Sequence, residues 1–288
     1  MAAEITSTHA HPGRPSRLPG RLGRILAWIA FGLLVVGPLY WVVASSIKGP
    51  EEIIRRVPTL IPSSLHLANF TDLFASTDYP VYLRNSLVVG LATALVTLIV
   101  STAGAYGLYR LNVPGGKLIG GAILLSYMIP GTLLLVPLYQ TMASLRMINT
   151  LTALVIVNVA FTAPFCVWLL HGFLDAIPRE LDQAAAVDGA GPVRTMIKIV
   201  LPLLAPGLAT VAVYAFVYSW TEFVFASQLV VSDERKTLPI GLSAIMGQYN
   251  INWGLLMAGA VLTILPAVIL FAMVGRWFIK GLVTGAVK

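Results

Sequence analysis

Residues 177–202 read IPRELDQAAAVDGAGPVRTMIKIVLP and form a polar interval between two long apolar runs. Pro178 suits the first turn of a helix, where its missing N–H costs nothing, and the acidic residues that follow favour the positive end of the helix dipole. Gly189 is a candidate left-handed cap at the end of that helix, and Pro192 can begin a second one. The stretch therefore predicts a short helix, a glycine turn and another helix, held between two membrane spans.

The first of these helices is predicted to carry one shallow apolar face. Its apolar residues recur at i, i+4, i+7 and i+8: Ile177, Leu181, Ala184 and Ala185. This spacing places side chains on one side of a helix. A short helix with small side chains is suited to a groove on another protein.

The spacing within this stretch resembles the "EAA" loop of binding-protein-dependent ABC import permeases. The matching positions are Gln183-Ala184-Ala185, then Gly189 after three residues, then Ile199-x-Leu201-Pro202 after nine. In that family the loop docks into a cleft on a cytoplasmic ATPase. The family's first glutamate is Gln183 here, with Asp182 beside it, which leaves the helix and the glycine turn intact. The resemblance implies that the ATPase-coupling residues are Glu180, Leu181, Asp182, Gln183, Ala184, Ala185, Asp188 and Gly189.

The composition is that of a membrane protein. Of 288 residues, 57% are hydrophobic and 11% are charged, and the mean hydropathy is +0.84. These values exclude an ordinary soluble enzyme. The single cysteine, Cys166, excludes an intrachain disulfide framework. The net charge of +7 is dispersed between apolar segments, so membrane topology explains it better than nucleic-acid binding does, and we predict no nucleic-acid partner.

Charge-free runs predict an all-α polytopic membrane protein with six transmembrane helices. The first occupies residues 24–47, and the others are expected near 85–109, 118–140, 151–174, 199–226 and 255–279. About 20 apolar residues suffice to span a bilayer. The first run is longer than the core of a signal peptide, so we predict that it is retained. Prolines within the third and fourth runs predict kinks.

The remaining segments are assigned by composition and charge. Residues 1–23 are expected to form a flexible cytoplasmic tail, 48–84 an extracytoplasmic segment, 85–280 the core permease domain with a cytoplasmic coupling loop at 175–198, and 281–288 a cytoplasmic tail. With both ends in the cytoplasm, 12 of the 19 basic residues lie inside and seven outside. This bias follows the positive-inside rule and places the polar interval in the cytoplasm.

The energy source separates the possible transporter classes. The sequence lacks a GxxxxGK[ST] phosphate loop, so a transporter driven by ATP needs another polypeptide to bind it. An ion-coupled secondary transporter is the alternative, and it needs polar coupling groups near mid-membrane. Glu222 follows Pro202 by about 30 Å of helix, so it is expected near the outer surface. No paired carboxylates or metal cluster indicate a membrane enzyme, and we predict a transport subunit.

Other phrases narrow the resemblance to carbohydrate importers. TEFVFASQL, KTLPIGLS and the ending GRWFIKGLVTGAVK are similar to the closing third of maltose- and glycerol-phosphate-type permeases, specifically the second permease of the pair. The resemblance implies the type I ABC importer fold in a plasma (inner) membrane. It also implies a second homologous permease, two ATPase subunits that hold ATP and Mg, and an external sugar-binding protein, with no cofactor bound by this chain. Maltose, trehalose and glycerol phosphate all remain open as substrates.

Three residues are predicted to share one helical face along the substrate pathway, namely Tyr214, Tyr218 and Glu222 at i, i+4 and i+8. Aromatic rings and a carboxylate can contact a sugar, and an outer aromatic belt is the alternative. Asn158 and Gln140 are further pathway candidates, with interhelical hydrogen bonding as their alternative.

The outer loop near residues 227–254 carries a cluster of aromatic and amide side chains. Tyr249, Asn250 and Trp253 are candidates for contact with a soluble binding protein, since Tyr and Trp often anchor interfaces. Anchoring at the membrane surface is the alternative.

Overall fold

The computed structural model describes residues 21–111, 113–246 and 251–286. All regular secondary structure in these ranges is helical. Within these described ranges, four helices are long and apolar enough to cross a membrane, and the number reaches six when each of two bent helix pairs is taken as one span. The all-α class is therefore confirmed, and the six predicted spans correspond to four unbroken helices and two broken ones.

Fourteen α-helices follow one another in the described residues. In chain order they are α1 (Arg21–Ser46), α2 (Pro50–Ile53), α3 (Ala68–Ser76), α4 (Tyr79–Arg110), α5 (Gly116–Tyr127), α6 (Leu135–Ser144), α7 (Leu151–Asp175), α8 (Glu180–Val187), α9 (Pro192–Thr195), α10 (Leu201–Leu203), α11 (Ala205–Thr221), α12 (Val224–Leu229), α13 (Leu238–Met246) and α14 (Trp253–Ala286). Short 3₁₀ turns occur at Gly131–Leu134 and Asp233–Arg235, and a π-helical turn at Met196–Val200 joins α9 to α10.

The third and fifth spans are sharply bent. The third changes direction by 89° between α5 and the segment Gly131–Ser144, at the proline and glycine that predict a break there. The fifth bends by 83° at Leu204, and α11 then ends at Thr221. A continuous helix over 199–226 is thus a wrong prediction. Pro202 and Pro206 flank the bend, and a proline can neither donate an N–H to the helix nor fit beside the carbonyl four residues earlier.

The centre of the fold is the packing of α4 against α7 and α11. Glycines allow these helices to approach closely. A Cβ added at Gly90 of α4 would lie 2.9 Å from the Phe216 ring on α11. A Cβ at Gly207 of α11 would lie 2.8 Å from the Phe173 ring on α7. Each contact leaves no room for a larger residue.

The first helix lies at the periphery of the fold. None of the residues in the most apolar stretch of α1 is buried. In the most apolar stretches of α4 and α7, 39% and 44% of the residues are buried. The helix packs along α14. Its large apolar side chains therefore form an outward surface suited to lipid or to a neighbouring subunit.

Candidate coupling site and substrate pathway

The polar interval forms the predicted helix, turn and second helix. The first helix, α8, begins at Glu180, so Pro178 lies just before it and not in its first turn as predicted. The carbonyl of Pro178 accepts from the Leu181 N–H at 3.4 Å, and the carbonyl of Arg179 accepts from the Asp182 N–H at 3.1 Å. The proline therefore leads the chain into α8 through a turn.

The end of α8 confirms the predicted glycine cap. Gly189 has φ of +75°, which is the left-handed region. Its N–H donates to the Ala186 carbonyl at 3.0 Å, and the Ala190 N–H donates to the Ala185 carbonyl at 2.9 Å. This pair of bonds satisfies the last carbonyls of the helix. Pro192 then begins α9, as predicted.

A buried arginine joins α8 to the transmembrane body. Arg110 is the last residue of α4, and its side chain is only 3% exposed. Its Nη1 lies 2.7 Å from Oδ2 of Asp182, and its Nη2 donates to the carbonyls of Leu174 and Ile177 at 2.6 Å each. The Tyr106 hydroxyl donates to Oδ1 of Asp182 at 3.3 Å. One guanidinium therefore connects α4, the end of α7 and α8.

The predicted apolar face of α8 is divided between two surroundings. Ile177, which precedes the helix, and Ala185 are buried against the transmembrane body, at 8% and 3% exposure. Leu181 and Ala184 are exposed. The prediction that these four residues form one apolar face is therefore wrong. Ile177 is not part of the helix, and Ala185 packs inward while Leu181 and Ala184 remain exposed.

Most of the predicted coupling residues lie on the free surface of α8. The exposed ones are Glu180, Leu181, Gln183, Ala184, Asp188 and Gly189. Asp182 and Ala185 face inward and hold the helix in place. Val187 is 88% exposed, and Val193 of α9 extends the apolar surface. The exposed side of this helix therefore carries small and apolar side chains beside the polar Glu180, Gln183 and Asp188.

A polar cavity of about 700 Å³ lies between the end of α4, the start of α5 and the end of α7, and Arg179 also lines it. The Tyr109 and His171 rings lie 3.7 Å apart, centroid to centroid, and His171 Nε2 is 3.6 Å from Oδ1 of Asp175. Arg179 donates to the Tyr109 carbonyl at 2.9 Å. These contacts further tie the ends of α4 and α7 to the start of α8. In the described part of the chain, no three His, Cys, Asp or Glu side chains are placed to hold a metal ion.

Two predicted pathway residues belong to an aromatic cluster that joins three spans. Tyr214 and Tyr218 of α11 have ring centroids 6.4 Å apart. The Tyr214 hydroxyl lies 3.1 Å from that of Tyr127 on α5, and its ring lies 4.7 Å from Phe165 on α7. Tyr127 is 40% exposed. We call these four residues the aromatic cluster; sequence spacing missed Tyr127 and Phe165 because they come from other helices.

Glu222 does not extend that face. It follows the last residue of α11 and has an extended backbone conformation. Its carboxylate accepts from the N–H groups of Phe225 and Ala226 at 2.7 and 2.9 Å. An acidic side chain at this position caps the start of α12. The predicted i, i+4, i+8 alignment is therefore wrong for Glu222, because the helix ends before it.

Asn158 lies in a buried polar contact between spans. The residue is 2% exposed, and its Nδ2 donates to the Ser219 hydroxyl at 2.9 Å. The Thr93 hydroxyl lies 3.4 Å from the same oxygen. These contacts favour an interhelical hydrogen-bonding role for Asn158 over a position on the substrate pathway. Gln140 is exposed on α6.

The predicted binding-protein contacts lie mostly outside the described residues. Tyr249 and Asn250 fall in the gap at 247–250. Trp253 is the first residue of α14 and is 38% exposed. An exposed tryptophan at a helix end suits either a protein interface or a membrane surface.

Replacing Ser219 by alanine is expected to lower the stability of the folded protein by about 1 kcal/mol, because Nδ2 of Asn158 is left without an acceptor between the helices. The measurement is thermal unfolding in detergent. Ser227→Ala is the control, since that hydroxyl bonds only within α12. Equal melting temperatures for the two variants would contradict the interhelical role.

Known proteins with similar sequences are inner membrane permeases. Residues 95–283 match the family described as "Binding-protein-dependent transport system inner membrane component". The chain is 35% identical to the inner membrane ABC transporter permease protein YcjP of Escherichia coli, over 94% of this chain and 98% of that protein. It is also 35% identical to the arabinooligosaccharides transport system permease protein AraQ of Halalkalibacterium halodurans, over 91% and 94% of the two chains. The chain belongs to this family of inner membrane permeases.

A solved structure confirms the fold. The structure of a bacterial ABC transporter involved in the import of alginate contains a chain that matches 91% of this one over its whole length, with a TM-score of 0.79 and 19% identity. The type I permease fold implied by the EAA loop is therefore confirmed. As a family member, the chain is a membrane-spanning transport subunit and not an enzyme.

Proposed function

We propose that this chain is one permease of an ATP-driven importer that moves a sugar into the cytoplasm. The proposal depends on one observation about α8. One side of this helix is exposed, and the other side is joined to the spans by the ion pair between Asp182 and Arg110. This arrangement suits a helix that receives force from a partner. The proposed partners are two ATPase subunits that hold ATP and Mg, a second related permease and an external binding protein. Of these, the family description names only the dependence on a binding protein.

The path of the force follows the contacts of α8. The exposed surface, with Leu181, Ala184 and Val187, docks into a groove on the ATPase. When ATP closes the ATPase pair, α8 moves with it. The Asp182–Arg110 ion pair passes the movement to α4 and α7, and the glycine turn passes it through α9 and α10 to α11. Closely packed helices transmit such a shift with little deformation.

The orientation follows from charge. The proposal places both termini and α8 in the cytoplasm, in line with the excess of basic residues on that side. The start of α14, with Trp253, then faces outward, where a binding protein can reach it. The chain moves its substrate without altering it, since ATP hydrolysis takes place on the partner subunits.

The sugar assignment is supported by the relatives and by the aromatic cluster. AraQ is a permease for arabinooligosaccharides by its name, and the solved importer acts on alginate. The cluster contributes half-buried rings and two neighbouring hydroxyls at the junction of α5, α7 and α11. Aromatic rings can stack on the C–H face of a sugar, and tyrosine hydroxyls can form hydrogen bonds with the hydroxyls of the sugar.

Replacing Tyr214 by alanine is expected to raise the KM for sugar uptake about tenfold, equivalent to about 1.4 kcal/mol of lost binding. The reason is the loss of a ring that also packs on Phe165. Tyr214→Phe keeps the ring and loses only the hydroxyl, so it should fall between the alanine variant and the natural chain. An unchanged KM in the alanine variant would remove Tyr214 from the pathway.

The function itself is tested with the purified complex in proteoliposomes. ATPase activity and uptake are measured with the binding protein across a panel of disaccharides, oligosaccharides and glycerol phosphate. We expect one sugar class to stimulate both activities together. Stimulation by glycerol phosphate alone would contradict the sugar assignment. Uptake by this chain alone, driven by an ion gradient, would contradict the ATP-driven mechanism.

A further inference from the structure

Residues 54–67, between α2 and α3, form a non-helical segment with an unusual surface. We call it the apolar finger. Six of its large apolar side chains are exposed: Ile54, Val57, Leu60, Ile61, Leu65 and Leu67. The most exposed, Val57 and Ile61, reach 79% and 78%. An exposed apolar group of this size marks an interaction surface and not an ordinary loop.

The finger folds back along the end of α1. The Tyr40 hydroxyl donates to the Leu60 carbonyl at 2.6 Å. Tyr40 precedes Ser46, the last residue of α1, by six positions, or about 9 Å along the helix. Lys48 turns back in the same direction, with its Nζ 4.4 Å from the centre of the Trp41 ring. The tip of the finger therefore lies beside the last turns of α1, where Tyr40, Trp41 and Val43 are exposed.

Several polar groups of the finger have internal partners. The Glu52 carboxylate, 7% exposed, accepts from the Thr59 hydroxyl at 2.5 Å and from the Ser63 hydroxyl at 2.7 Å. These hydrogen bonds hold the pKa of the Glu52 carboxyl below its ordinary value. The Lys48 ammonium donates to the Thr59 carbonyl at 2.5 Å. Pro58 and Pro62 carry no N–H that needs a partner.

We propose that the apolar finger inserts into the bilayer interface beside α1. Glu52 and Lys48 give Thr59 and Ser63 internal partners, so the polar groups of these two residues need not face lipid unpaired. The apolar side chains continue the unburied surface of α1 through the Tyr40–Leu60 bond. Residues 54–67 contain Arg55, Arg56 and His66 but no acidic residue, so their charge complements lipid phosphates.

The test uses a nitroxide label at Ile61→Cys in the assembled complex, in vesicles of phosphatidylethanolamine and phosphatidylglycerol. Collisions with oxygen, which concentrates in lipid, are compared with collisions with a water-soluble nickel chelate. Leu34→Cys, 74% exposed on α1, is the reference for the outward surface that the finger is proposed to continue, and Asp72→Cys, exposed on α3, is the aqueous reference. Cys166 is fully buried, so the natural chain is the blank for labelling.

We expect the label at Ile61 to behave as at Leu34, with the oxygen-to-nickel accessibility ratio reversed from that at Asp72. A ratio equal to that at Asp72 would show a finger in water and overturn the proposal. Protection from both reagents would show that a protein partner covers the finger, which also overturns it. Val57→Cys repeats the measurement on the same surface if the Ile61 variant does not assemble.

Discussion

Replacing Arg110 by methionine is expected to reduce sugar uptake at least tenfold while the complex still hydrolyses ATP. The methionine fills similar space but leaves the Asp182 carboxylate and the carbonyls of Leu174 and Ile177 without their donor. Breaking a buried ion pair costs about 3–5 kcal/mol, and the lower end applies because Asp182 is 23% exposed. Helix α8 then moves without pulling α4.

The matched control is Arg84→Met. Arg84 lies near the other end of α4 and is exposed, so its replacement should leave uptake unchanged. Asp182→Asn tests the other partner and should lose uptake to a similar degree. The double variant Arg110→Met with Asp182→Asn should be no worse than either single one, because contacting partners do not add. Normal uptake in Arg110→Met, at normal expression, would contradict the proposed path of force.

Replacing Gly189 by valine is expected to uncouple ATP hydrolysis from uptake, with a severalfold loss of uptake per ATP. Its φ of +75° is strained for a β-branched residue, by about 1–3 kcal/mol. A Cβ there would meet nothing within 4 Å, so the effect comes from the backbone and not from crowding. The strain opens the cap and loosens the link between α8 and α9. ATPase rate and uptake are measured on the same proteoliposomes.

Gly191 offers a control two residues away. Its φ is −72°, an extended conformation open to any residue, and a Cβ there also meets nothing within 4 Å. Gly191→Val should therefore stay close to the natural chain. Gly189→Asn should lie between the two, because asparagine tolerates the left-handed region better than valine. Equal coupling in Gly189→Val and Gly191→Val would remove the cap from the mechanism.

Local patterns predicted much of this molecule. Apolar runs located α4 and α7 to within a few residues, apart from the start of α4, which begins at Tyr79 and not at Asn85. The glycine turn after α8 was predictable because a left-handed cap is a property of a few consecutive residues. The bend at Leu204 could also have been predicted, from the prolines on either side of it. It was missed because the span was assigned only from the absence of charged residues.

Contacts between distant residues could not be predicted in the same way. Arg110 and Asp182 are 72 positions apart, and the arginine looks like any basic residue that ends a span. The aromatic cluster likewise draws residues from three helices, whereas spacing along one helix suggested only Tyr214 and Tyr218. Glu222 was misplaced because hydropathy does not show where a helix ends within an apolar run.

The most direct test of the coupling site is crosslinking from Val187→Cys, modified with a photoactivatable reagent in the intact complex. Val187 is the most exposed apolar residue of α8. Val57→Cys in the apolar finger is the control, because Val57 is 79% exposed and so similarly accessible. We expect a product between this chain and the ATPase subunit from Val187 and none from Val57. A product from Val57 and none from Val187, or labelling of Val187→Cys by a membrane-impermeant reagent added outside cells, would contradict this expectation.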